Sequence, residues 1–179
     1  ATSYHLAETT VAARMERVGR GTTVQVRQLL TQLRGAPLPT VHVGAALTYQ
    51  DVTTPATVHI ANLTLDTPES RLRATGEIHD LQTLEMTADF VIEKLATAEI
   101  KQWVPTWPLT QDIAGTVHYR GPLSAVHARI DLAAADAHIT GDIRGNVNHE
   151  PPSYAGTISL TRFDTRKMLG RQDVGGVID

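Results

Sequence analysis

The chain has 179 residues, a net charge of −3 and no cysteine. No basic run marks a nucleic-acid face or a membrane surface, and the missing cysteines exclude disulfides, thiolate zinc sites and cysteine nucleophiles. Aromatic residues make up only 4%, so Val, Ile, Leu and Ala must supply the apolar surface, in a core that is thin and extended or completed by something other than protein.

The chain opens at Ala1 and stops at Val177-Ile178-Asp179, and both ends read as cuts in a longer protein. No apolar run approaches the roughly 20 residues of a membrane-spanning helix, and no secretion signal begins the sequence. From there, period-two alternation dominates. Val11-Ala13-Met15 and Val24-Val26 are the first, weaker candidates for strands. Val41, Val43, Ala45, Leu47 and Tyr49 form a clear apolar phase against His42, Gly44, Ala46 and Thr48. Val58-Ile60 and Leu72-Ala74-Gly76-Ile78 follow. Leu84, Met86, Ala88, Phe90 and Ile92 then alternate against Glu85, Thr87, Asp89 and Glu93. Gly115-Val117-Tyr119, Val126-Ala128-Ile130-Leu132, Ala137-Ile139-Gly141-Ile143 and Tyr154-Gly156-Ile158-Leu160 complete the series. One apolar and one polar face per strand is the pattern of an antiparallel sheet covered on one side and wet on the other.

The breaks fall at Gly19 to Gly21, Gly35-Ala36-Pro37, Asp66 to Glu69, Gly121-Pro122, Ala133 to Asp136 and Asn148 to Pro152. Connections this short favour hairpins and meanders over crossovers. Two short helices are predicted. Thr97 caps one that runs through Val104, with Ile100, Trp103 and Val104 on one face and Pro105 as the stop. Asp164 caps a second, with Met168 and Leu169 apolar and Gly170 ending it.

Internal repetition is the stronger signal. A tetrad of Ala or Thr, Gly, a polar residue, then Ile or Val occurs at Thr75-Gly76-Glu77-Ile78, Ala114-Gly115-Thr116-Val117, Thr140-Gly141-Asp142-Ile143 and Ala155-Gly156-Thr157-Ile158. A longer echo matches Phe90-Ile92-Lys94-Leu95-Thr97-Ile100 with Ile158-Leu160-Arg162-Phe163-Thr165-Met168, position for position. Glycine weakens a strand unless the sheet must bend or something must approach closely. The repeats therefore predict a curved sheet assembled from similar units. Residues 1–55 form a β-rich N-terminal portion, and 56–179 carry the repeated units, continuous with it as one structural domain.

These repeated Gly-x-Ile/Val strands, the run from Leu84 to Leu95 into Thr97 to Pro105, the return through Gly115, Gly141-Asp142-Ile143-Arg144-Gly145-Asn146 and Leu160-Thr161-Arg162-Phe163-Asp164 resemble the AsmA-like superfamily, which includes the TamB proteins. The resemblance covers residues 56–170 and rests on glycine and apolar spacing. It implies a periplasmic segment of a Gram-negative envelope protein whose parent is anchored in the inner membrane. It also implies an elongated antiparallel sheet folded lengthwise into an apolar groove, a β-taco. The implied function is phospholipid transport supporting outer-membrane biogenesis, with acyl chains as ligand and an outer-membrane barrel as possible partner. It carries over no catalytic residue and no cofactor.

The residues expected to line the groove, sharing one phase on their own strands, are Leu84, Met86, Phe90, Ile92, Val117, Tyr119, Val126, Ile130, Leu132, Ile139, Ile143, Ile158 and Leu160. Phase does not fix register between strands. Alternation alone favours a closed β-sandwich, a non-enzymatic interaction or adhesion module, because sandwiches are the common answer to such patterns; the resemblance reverses that preference.

No recognised enzyme motif is present: no Gly-x-Ser-x-Gly elbow, P-loop or dinucleotide fingerprint. Glu77, Asp80, Glu85, Asp89 and Asp142 alternate outward on strands as solvated charges and guards against edge-to-edge aggregation. His118, His127 and His138 fall on polar faces of consecutive strands. They lack recognised ligand spacing and read as solvated surface histidines, not zinc or copper ligands. Asn62-Leu63-Thr64 matches a glycosylation acceptor, a motif short enough to arise by chance.

Overall fold

The computed structural model describes residues 5–19, 21–35, 38–51, 55–164, 166 and 177–178. Ten strands form one antiparallel sheet in which spatial order equals sequence order, and the sheet does not close into a barrel. The strands are β1 (His5–Val18), β2 (Gly21–Gly35), β3 (Leu38–Gln50), β4 (Thr57–Asp66), β5 (Arg71–Asp80), β6 (Glu85–Leu95), β7 (Ile113–Gly121), β8 (Val126–Ala134), β9 (Ala137–Asn146) and β10 (Ser153–Thr161). A helix, α1 (Thr97–Trp103), joins β6 to β7, and a two-stranded ladder pairs β11 (Phe163–Asp164) with β12 (Val177–Ile178). A closed sandwich requires a second large sheet facing the first, and the described residues form none. The fold is all-β, a single open sheet. β3 and β4 pair across the 51–56 connection, so the sheet runs unbroken from the N-terminal portion into the repeated units.

Side chains on cross-strand partners share a face, and the register sets them in rows. Ala45, Leu63, Ala74, Phe90, Val117, Ile130, Gly141 and Ile158 follow one another across β3 to β10. A second row runs Leu47, Ile60, Gly76, Ala88, Tyr119, Ala128, Ile143 and Gly156. A third runs Val43, Leu65, Leu72, Ile92, Gly115, Leu132, Ile139 and Leu160. On β1 and β2 the first two rows continue through Leu29 and Val11, and through Val26 and Ala13. One face of the sheet is apolar along its entire length.

The tetrad glycines all point to that face. At Gly115, with φ +144°, a side chain would land on the Asp131 carbonyl oxygen; at Gly156 it would land on that of Asp142. Glycine is needed where the backbones of neighbouring strands approach this closely. The tetrads do not all share a row, however: Gly76 and Gly156 lie in the second, Gly115 in the third and Gly141 in the first. The longer echo does: Phe90 and Ile158 lie in one row, and Ile92 and Leu160 in another.

Burial concentrates at one end of the strands. Ile100, Ile113, Ala134, Ala137 and Phe163 form a small core, with Leu95, Trp107, Leu109, Leu132 and Leu160 packed against it. Leu95 and Phe163, matching positions of the echo, thus both anchor this plug. α1 caps it and reaches across the sheet end to touch β3, three strands from β6. Glu99, on α1, is buried. Its carboxylate accepts hydrogen bonds from the Thr67 hydroxyl (2.5 Å), the Glu69 amide (3.2 Å) and the Ser70 hydroxyl, all in the β4–β5 connection.

Two local expectations change. The helix is capped from elsewhere in the chain. Ala96 is the extended residue before the first turn, Thr97 is already helical, and the Thr97 amide donates to Asp112 Oδ1 at 2.9 Å. The Thr97 hydroxyl donates to the Gln111 carbonyl instead. The helix ends at Trp103, just before Pro105, and Val104 is exposed where an inward position was expected. The second helix, with Met168, Leu169 and Gly170, lies outside the described residues.

Candidate functional site

The apolar face is the candidate site. Of the residues expected to line it, the register brings Met86, Phe90, Ile92, Val117, Tyr119, Val126, Ile130, Leu132, Ile139, Ile143, Ile158 and Leu160 to one face. Val126 enters through its pairing with Gly145, opposite Tyr154. Leu84 does not belong. It sits in the β5–β6 turn with φ +51° and is exposed. Asp80 holds this turn, accepting from the Gln82 amide (2.7 Å) and the Thr83 hydroxyl (3.0 Å). The alternation extrapolates one residue too far because the turn takes Leu84 out of the strand.

The face also extends beyond the expected set. Leu47, Ile60, Leu63, Leu65, Leu72 and Ala74 continue it over β3 to β5, and Val24, Val26, Leu29, Val11, Ala13 and Met15 over β1 and β2. Register irregularities hide this continuity in the sequence. Between Val26 and Leu29, and between Ile60 and Leu63, an extra residue shifts the alternation. The apolar i, i+3 spacing at those two places is the only trace of it.

A fourth row runs Met15, Val24, Tyr49, Val58, Ile78 and Met86. Ten strands at about 4.8 Å spacing make the face roughly 43 Å long, and rows two residues apart make it about 20 Å wide over these four rows. Away from the plug its side chains are half-buried by one another, and no second layer covers them among the described residues. Toward both edges they become exposed, with Met15 at 68% and Val11 at 56% on β1, and Tyr154 at 64% and Ile158 at 59% on β10. An apolar surface of this extent is far larger than a soluble domain normally leaves uncovered. In its midst the Tyr119 hydroxyl is enclosed without a hydrogen-bond partner, and burial raises its pKa above the usual phenol value.

The opposite face is a ladder of charge. Asp89, His118, Arg129 and Asp142 stand side by side on β6 to β9. His118 bonds Asp89 (2.6 Å), His127 bonds Asp142 (2.8 Å) and His138 bonds Asp131 (2.6 Å). Each histidine has its own carboxylate, and the three rings do not converge. Among the described residues no group of three His, Asp or Glu side chains is placed to hold a metal ion. The Asp142 carboxyl is held below the usual carboxylate range, chiefly by the hydrogen bond from His127 and further by Arg129. A shallow depression here is walled by Thr116, His118, Arg129, Asp131, Thr140 and Asp142, side chains open to water whose acids are committed to neighbouring bases.

Among the described residues no helix is long and apolar enough to cross a membrane. No protein-family model, curated protein or solved structure matches the chain.

Proposed function

We propose that this chain is a non-enzymatic segment of a bridge-like phospholipid-transport protein of the Gram-negative periplasm, and that its apolar face lines the path of the acyl chains. The observation that carries the reading is the register, which joins the apolar side chains of ten strands into one continuous surface that no second layer covers among the described residues. The dimensions suit the ligand. A single acyl chain occupies about half of the roughly 30 Å bilayer core and fits within the width of the face. Each buried methylene contributes about 0.8 kcal/mol, and a row of Val, Ile and Leu offers that without selecting a head group. Many similar shallow sites permit sliding where one deep pocket traps. The parent would be anchored in the inner membrane and meet an outer-membrane barrel at its far end, as the sequence resemblance implies.

The test is direct. The segment is purified from Gram-negative cells without detergent, extracted with organic solvent and analysed by mass spectrometry. Phospholipid in stoichiometric excess over a soluble β-protein prepared alongside is the expected result. Lipid at the level of that control defeats the reading.

A further inference from the structure

The arginines of β5 to β9 fall into two groups. Arg71 bonds Asp66 at 2.8 Å, Arg73 bonds Glu93 at 2.9 Å and Arg129 bonds Asp142 at 3.3 Å. Arg120 on β7 and Arg144 on β9 have no carboxylate partner among the described residues, and both are exposed. The register sharpens the contrast. Arg120 pairs with His127 on β8, and His127 pairs with Arg144, so three basic side chains stand in line on the polar face. The row continues into Thr87 on β6 and Ala155 on β10, neither of them charged. Arg120 and Arg144 are two strand spacings apart, about 10 Å, and like charges at that distance repel when no acid stands between them. The nearest acid of the group, Asp142, is engaged by His127 Nε2 at 2.8 Å and by Arg129. His118, Arg120, His127 and Arg129 border a depression open to water.

We propose that Arg120 and Arg144 bind a phosphomonoester between them, over His127. Each guanidinium is a planar fork that takes two oxygens of a phosphate. Both sit on long stems free in solvent, so both reach the space above the intervening histidine. Two forks call for more than two oxygens. A phosphomonoester offers three terminal oxygens and close to two negative charges at neutral pH, whereas a diester offers two oxygens and one charge. A carboxylate is served by a single arginine, as Glu93 is by Arg73. The unpaired arginines therefore select the monoester, whether free in solution or at the head of a lipid. The inference concerns the polar face and does not rest on the acyl-chain reading of the opposite one.

The purified chain is titrated with glycerol phosphate and, at equal ionic strength, with dimethyl phosphate, while the arginine Nε–Hε signals are followed by NMR. The Arg120 and Arg144 signals are expected to move together, with an affinity for the monoester about twofold to fivefold above that for the diester. Arg120→Gln and Arg144→Gln are each expected to weaken monoester binding about twofold to fivefold. Arg73→Gln removes the same charge from a paired arginine elsewhere and should leave binding unchanged. Neither Arg120→Gln nor Arg144→Gln should lower the thermal midpoint, because each removes one member of a repelling pair. Flotation with vesicles of equal parts phosphatidylcholine and phosphatidic acid then separates the two sources. Vesicle binding that the Arg120→Gln/Arg144→Gln double variant abolishes places the monoester on a lipid. Vesicle binding that is absent, or indifferent to that variant, places it on a soluble ligand and reports separately on the apolar face. Unmoved Arg120 and Arg144 signals overturn the proposal. So do equal affinities for monoester and diester, and an Arg73→Gln variant that binds as weakly as the other two.

Discussion

The side chain of Ile130 on β8 lies across Gly141 on β9, so closely that a Cβ at Gly141 would stand 2.8 Å from Ile130 Cγ1. The contact packs a large side chain into the space left by a missing one, within a single layer of sheet. It also separates two kinds of glycine. At Gly141 the obstacle is a side chain that can turn aside, whereas at Gly115 it is the Asp131 backbone, with φ already at +144°.

Gly115→Ala is therefore expected to cost more than Gly141→Ala. Overpacking costs about 1–3 kcal/mol where neighbours can adjust, and the positive φ adds to it at Gly115. Urea unfolding of the two variants checks the order. Equal stabilities would show that the close approach at Gly115 is not maintained in solution.

Glu99→Ala is expected to destabilise the plug by about 1–3 kcal/mol, because it leaves the Thr67 and Ser70 hydroxyls and the Glu69 amide without their acceptor. Amide exchange should accelerate first in α1 and in the connection from Thr67 to Ser70. Uniform acceleration across the sheet would instead make the plug and the sheet one cooperative unit.

Ile130→Asp and Ile143→Asp place a charge mid-face. An open face lets the carboxylate reach water, so both variants should keep their thermal midpoint within a few degrees of wild type, whereas a dry core would leave the charge desolvated and unfold the domain. Both should lose co-purifying phospholipid and fail to support outer-membrane integrity in the full-length parent. Leu84→Asp, in the turn, should retain both. Folded variants with full lipid and full activity would remove the face from the transport path.

Tyr119→Phe is expected to be neutral or stabilising by up to about 1 kcal/mol, since it deletes a hydroxyl enclosed without a partner. Chemical unfolding decides it. A loss of more than that means the hydroxyl is satisfied in solution.

The Asp142 carboxyl titrates below its ordinary range in the folded chain, first because of His127 and then Arg129. Its contribution to stability is thus present above the unfolded carboxylate pKa and is lost as pH falls through the lower folded value. The pair is open to solvent, so the contribution is small. His127→Ala should raise the Asp142 pKa toward the usual value, and Arg129→Ala should raise it less, by carbon-13 titration of the side chain. The reverse order would assign the shift to Arg129.

Ten strands were legible as alternation in the sequence, because a sheet wet on one face imposes period two on every strand. Irregular pairing set the limit. The shifts after Val26 and Ile60 turn one phase into two, so the face on β2 and β4 looks broken in the sequence and is continuous in space. The helix after β6 was visible from Ile100 and Pro105, but its cap was not, because Asp112 arrives from fifteen residues downstream. Cover was invisible for a simpler reason: an apolar phase predicts that something will lie against it, and says nothing of whether that something is protein.

Because each strand pairs only with its neighbours in sequence, the sheet is extensible in the way a ruler is. Inserting one hairpin lengthens the surface by about 10 Å, and deleting one shortens it by the same amount. Outside β3 to β6, which α1 ties together at one end, only the ladders at the junction must be rebuilt, and the rows on either side keep their register. Length becomes a heritable quantity that changes by whole hairpins, without redesign of the residues along the apolar face.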